Sequence, residues 1–252
     1  MNTLYANGDS FVFGMECLGD GNRSELNKDL AFAQHVARGL NCDTYINNAY
    51  NGATNEFIFR STIFDLMARE QQGHLAKDTF VVVGWTSLHR FEISADSWLE
   101  SCNPGQKTNV DASFSEYADY NTFFVSPTSN IHIPRGQNKP MASTEQDIAP
   151  FLVQYVWHDH MQVPQQTIRI IALQAWLQQH GYQYIFLNMC GDHNSDHEWG
   201  HDPNMYKLNT ESFYAWAQLN YPKSIRAYNH FDAQTHEAYG AQLVKHIKEQ
   251  IL

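Results

Sequence analysis

A chain of 252 residues that is 43% hydrophobic and 13% aromatic can hold one large α/β domain or two small ones, and is too apolar for wholesale disorder. Its formal charge of −11 argues against a nucleic-acid binder, which needs a basic face, and disfavours contact with anionic membranes. The cysteines (Cys17, Cys42, Cys102, Cys190) lack CxxC spacing, residues 1–14 lack a basic leader, and no apolar run reaches the length of a membrane span. The expectation is a reduced, cytoplasmic protein; release by lysis or association with a virion would leave the same signature.

Residues 3–7 read as a first strand that ends in Gly8-Asp9-Ser10. A serine at a strand end beside a glycine is one way to present a nucleophile, and it is equally the composition of an ordinary turn. Ser24 is placed to cap a helix over 25–40 with Leu26, Leu30, Ala33, Val36 and Ala37 on one face. Residues 43–48 form a candidate second strand. Gly52-Ala-Thr-Asn-Glu then opens a helix whose apolar positions are Phe59, Ile63, Leu66 and Met67. The run DTFVVVGWTS (78–87) is a strand buried on both faces of a parallel sheet.

Residues 88–150 are rich in Asn, Ser, Pro and Asp and weak in periodicity, and read as a long insertion. Helix returns over 150–181, with Pro164 near the start of its second piece and Gly181 after its end. YQYIFLNMC (182–190) is a further strand and 210–219 a short helix. A last helix starts at the cap Asp232 and buries Tyr239, Leu243, Val244, Ile247 and Ile251. Strands alternating with helices predict a mainly parallel sheet covered on both faces, with ligands at the carboxyl ends of the strands. Ser10, Gly52, Gly84 to Ser87 and Cys190 all fall at such ends.

Four blocks in this order resemble the SGNH (GDSL-type) hydrolase family: NGDSFVFG, NGATNEFIFRST, VVVGWTSLHRFE and YNHFDAQTHEAYGAQL. The resemblance spans nearly the whole chain apart from the insertion. It implies a single domain over 1–252 with a three-layer α/β/α, flavodoxin-like, five-stranded parallel sheet. It implies a serine esterase that needs no cofactor or metal, with Ser10 as nucleophile and His230 as base. The backbone N–H groups of Ser10 and Gly52 would hold the oxyanion. In the third block Thr86 and Ser87 stand where the family has Asn and Asp, so Thr86 becomes the candidate third oxyanion donor. Block three is similar to versions associated with tailed phages. The implied partner is a small-molecule or glycan ester, with acetyl groups on a bacterial surface glycan among the family's substrates.

Each assignment has a plainer counterpart. Gly52 can serve as a helix-entry glycine, and Thr86 as a strand-end hydroxyl bonded to its own backbone. His230 competes with His236, one turn into the last helix. The family's acid lies three residues before its histidine, where this chain has Ala227. The expected replacement is Asp192, the first carboxylate after the strand 182–190, with Asp196 and Asp202 behind it and a backbone carbonyl or water as other supports. His193, His197 and His201 in the same loop suggest metal ligands, but the surrounding Gly, Asn and Ser favour a polar rim. Two further readings stay open: a hydrolase-like binding or structural module, such as a virion component, and a metal-dependent hydrolase using 190–202.

Overall fold

A computed structural model describes residues 2–88, 90–94, 120–125, 131–132, 159–190, 205–206 and 212–252. They form two compact units, Met1–Ser87 with Thr167–Leu252, and Leu88–Gln166.

The first unit is built on a parallel sheet. Its strands are β1 (Thr3–Asn7), β2 (Thr44–Asn47), β3 (Thr79–Trp85), β7 (Gln183–Asn188) and the two-residue β8 (Met205–Tyr206). The spatial order is β2-β1-β3-β7-β8, the doubly wound, flavodoxin-like order. Thr3 lies opposite both Thr44 and Thr79, and Phe80 opposite Gln183, so the strands end close to one another at one edge. The second unit contains a separate antiparallel sheet of β4 (Arg90–Ser94), β5 (Tyr120–Val125) and β6 (Ile131–His132).

The alternation of side chains along a strand sorts the core into two layers. Leu4, Ala6, Phe80, Val82, Ile185 and Leu187 share one cluster with residues of α2 (Phe32–Gly39), α5 (Phe213–Asn220) and α6 (Ala233–Gln250). Tyr5, Val81, Val83, Tyr184 and Phe186 share the other with residues of α3 (Asn55–Gln71) and α4 (Asp159–His180). The result is a sheet flanked by helices on both faces. Among the described residues no helix is long and apolar enough to cross a membrane.

Two predicted helices differ from the observed ones. The segment 25–40 is a 3₁₀ helix, Glu25–Leu30, then an extended Ala31 (φ −66°, ψ 151°), then α2. Its first half buries Asn27 and leaves Leu26 exposed, because the Asn27 amide serves the preceding loop: it accepts from Leu18 N–H at 2.9 Å and donates to Asn22 O at 3.1 Å. In α3 the inward face includes Ser61 and Thr62, while Met67 is exposed. The hydroxyls face inward because the buried Asn7 amide, at the end of β1, donates to both of them, at 2.8 and 2.9 Å. A buried amide without partners would cost about 1–3 kcal/mol, comparable to what full burial of one methionine contributes.

The strand ends meet so closely that side chains are excluded at two places. A Cβ on Gly8 would lie 2.3 Å from Val12 Cγ2 and 2.9 Å from Gly84 O, and one on Gly84 would lie 2.4 Å from the same Val12 methyl. Val12 is thus wedged between the two glycines, which fixes the helix that follows Gly8 against the sheet. Gly8→Ala should destabilise the fold by about 1–3 kcal/mol through overpacking. Urea denaturation monitored by circular dichroism should show the midpoint falling; an unchanged midpoint would mean that this close approach is not enforced.

Candidate active site

Helix α1 (Ser10–Phe13) is a single turn, and its placement follows from its caps. Asp9 is extended and its Oδ1 accepts the Phe11 N–H at 3.0 Å. Gly14, in the left-handed region at φ 79°, ends the turn. The chain therefore changes from strand to helix within Gly8 and Asp9, and Ser10 is the first residue past the edge of the sheet.

Asp9 is fully buried and ties three strand ends together. Its Oδ2 accepts from the Thr86 hydroxyl at 2.6 Å, and the Cys190 thiol lies 3.8 Å from the same oxygen. Thr86 is held a second time by Asn55: its N–H donates to Asn55 Oδ1 at 2.9 Å, and Asn55 Nδ2 donates to Thr86 O at 3.1 Å. The sequence reading made Thr86 a candidate oxyanion donor. In this structure the proton of that hydroxyl goes to Asp9, which ties Thr86 to the turn that begins at Ser10.

His230 arrives from the other end of the chain. A tight turn precedes it, in which Asn229 N–H donates to Arg226 O, Arg226 N–H donates to His230 O, and Asn229 takes a left-handed φ of 62°. The ring lies 5.0 Å from that of Phe11, and Phe231 beside it is fully buried. This brings His230 Nε2 to 2.7 Å from Ser10 Oγ, although 220 positions separate them. For the serine to donate, Nε2 must carry the lone pair and Nδ1 the proton.

Among the described residues, Glu16 faces Nδ1, with its Oε2 3.3 Å away. Glu16 is fully buried and sits at φ 67° in the loop that leaves α1. Its Oε1 accepts the Gly21 N–H at 2.6 Å and its Oε2 the Tyr228 N–H at 3.0 Å. Sequence reasoning missed this residue; the available signal was a carboxylate between Met15 and Cys17, with Gly14, Gly19 and Gly21 marking a chain that folds back on itself. The neighbouring Cys17 thiol is pushed up to about 12 by burial and by Asp232, against the opposing pull of Arg226, and so stays protonated.

The other candidates are placed as follows. Gly52 adopts φ 81° in the turn from Tyr50 to Ala53, and the Tyr50 N–H donates to Gly8 O at 3.1 Å, linking this block to the turn that bears Ser10. Asp232 caps α6: its Oδ1 accepts from the Thr235 N–H at 3.0 Å, and its Oδ2 is 4.0 Å from Arg226. Asp192, Asp196, Asp202 and the histidines of that loop lie outside the described residues. His236 is fully buried, stacks on Phe32 and accepts the Phe32 N–H at Nδ1, at 3.2 Å.

No protein-family model matches the chain, and no curated protein does. Among solved structures the chain is similar to a lipase from a goat rumen metagenome, at 10% identity over 98% of this chain and 97% of that one, with a TM-score of 0.47. It is similar to a catalytic mutant of an acetylxylan esterase from Geobacillus stearothermophilus, at 12% identity over 98% and 94%, with a TM-score of 0.49. A lipase/acylhydrolase from Enterococcus faecalis matches at 14% identity over 99% and 96%, with a TM-score of 0.35.

Burial, with His230 and His35 adding to it, lowers the His236 imidazole from 6.5 to about 3. The unfolded chain takes up this proton below about pH 6.5, whereas the folded chain refuses it down to about pH 3. The contribution is therefore complete above the unfolded value and is lost as pH falls through that window. His236→Asn keeps an acceptor for the Phe32 N–H but cannot titrate. Between about pH 7 and pH 4.5 its urea midpoint should fall less than that of the wild type; parallel slopes would contradict a buried neutral His236.

Proposed function

We propose that the protein is a serine ester hydrolase of the SGNH type, with Ser10 as nucleophile and His230 as general base. The observation that carries the reading is the 2.7 Å contact between Ser10 Oγ and His230 Nε2 at the carboxyl edge of a parallel sheet. Serine is a weak nucleophile until an adjacent base takes its proton, and this contact is the geometry that such a transfer requires.

In the proposed reaction Ser10 Oγ attacks the ester carbonyl carbon while its proton passes to His230 Nε2. The tetrahedral intermediate collapses as the imidazolium returns that proton to the leaving alcohol. Water, deprotonated by the same ring, then releases the acid and restores Ser10. The N–H of Ser10 belongs to the first turn of α1, where a helix leaves its donors without intrahelical partners. That donor, with the Gly52 N–H from the neighbouring turn, is the proposed oxyanion site. Support for the family comes from the order of the four blocks, with the serine first and the histidine last. O-acetyl groups on carbohydrates, including glycans of bacterial surfaces, are the substrate class proposed for assay after simple esters.

Hydrolysis of p-nitrophenyl acetate tests the reading. Ser10→Ala and His230→Ala should each lower kcat/KM by about 10³-fold or more with circular dichroism unchanged, as expected when a nucleophile or base is removed. His236→Ala, after correction for the folded fraction, should retain most of the activity. Full activity in Ser10→Ala, or an equal loss in the two histidine variants, would contradict the assignment.

A further inference from the structure

We infer that Glu16 is the acidic member of the site, a positioning residue that fixes the tautomer of His230 from the nucleophile's own loop. This inference rests on the reading of Ser10 and His230 given above. Four observations carry it. Glu16 Oε2 is 3.3 Å from His230 Nδ1, the nitrogen opposite the one that meets Ser10. The carboxylate is fully buried, a location that charged groups occupy only when partnered. Two backbone donors hold it, Gly21 N–H on Oε1 and Tyr228 N–H on Oε2, and the imidazole lies beside Oε2 at ion-pair distance. Finally, a glutamate at φ 67° is in a conformation that non-glycine residues seldom adopt, and the loop holds it there from both sides, with Glu16 N–H donating to Asn22 O at 3.0 Å and Gly19 N–H donating to Glu16 O at 2.9 Å.

The chemistry follows from the acceptor character of a carboxylate. An ionised Glu16 offers no proton, so the ring nitrogen that faces it must carry one. Nε2 is then left with its lone pair toward Ser10 Oγ–H. When His230 takes the serine proton, Glu16 stabilises the imidazolium while its own protonation is unchanged. The same oxygen that faces the ring also accepts the Tyr228 N–H, two residues before His230, so one carboxylate orients the ring and holds the turn that delivers it. The acid thus reaches the histidine through space, from six positions beyond the serine, and the Ala227 position can do without a carboxylate.

The test uses Glu16→Gln and reads the tautomer directly. A glutamine keeps the size and one acceptor but can turn its NH₂ toward Nδ1, which favours the proton on Nε2 and removes the base. In ¹⁵N-histidine NMR the wild type should carry the His230 proton on Nδ1 and Glu16→Gln should carry it on Nε2, with His230→Ala used to identify the signals. With p-nitrophenyl acetate kcat should fall by about 10³-fold or more, KM should change by less than a few fold, and Glu16→Asp should recover part of the loss. Should Glu16→Gln fail to fold, Glu16→Asp is read in the same two ways, with a smaller loss and the proton kept on Nδ1. A His230 proton on Nδ1 in Glu16→Gln, or activity within tenfold of wild type, would overturn the inference. Because the NMR reading needs no substrate, it remains decisive even if the ester-hydrolase reading fails on Ser10→Ala.

Discussion

The buried carboxylate of Asp9 is the constraint on which the site depends. One of its oxygens caps the single turn that begins at Ser10, and the other accepts the hydroxyl of Thr86 at the end of β3. Hydrogen bonds to a charged group in a dry interior are worth about 1.5–3 kcal/mol each, so β1 and β3 cannot part at this edge without leaving a buried charge short of donors. Asn55 doubles the lock by pairing with both backbone groups of Thr86. Ser10 therefore sits on elements locked to one another, as the proposed nucleophile role requires.

Opposite this fixed point the chain builds a second assembly out of loops. The segment that leaves α1 carries Glu16, and the segment that enters α6 carries Tyr228 and His230; each needs the other for its buried polar groups. Without the Tyr228 N–H and the imidazole, Glu16 would keep only the Gly21 N–H on Oε1. The N-terminal and C-terminal stretches of the chain are coupled at one carboxylate, and the position of the histidine is set by backbone hydrogen bonds as well as by packing against Phe11.

Much of this was legible in the sequence where a local rule operates. The β-branched run in β3 declares a buried parallel strand, and Asp232 before an apolar-striped helix declares a cap. Ser10 and His230 each stand beside such punctuation, a glycine turn for one and a helix cap for the other, but it is the resemblance of their blocks to a known family that singles them out. The parts that were not legible are those decided by distant partners. Asn27 interrupts a helix to serve the loop at Leu18, and Ser61 and Thr62 turn inward for Asn7. Thr86 reads as an oxyanion donor or as a strand-end hydroxyl bonded to its own backbone, and its bond to Asp9, 77 positions away, is not encoded locally. Glu16 is the strongest instance: 214 positions separate it from His230, and neither periodicity nor propensity encodes a contact at that range.

The central claim is that Ser10 is the activated nucleophile of this constellation. Mass-spectrometric peptide mapping after treatment with a serine-directed phosphonate measures it without assuming a substrate. The account predicts a single stoichiometric adduct on Ser10 that forms with the folded protein and is lost in His230→Ala and on denaturation in urea. An adduct on another residue, or a folded protein that takes up none, would contradict it.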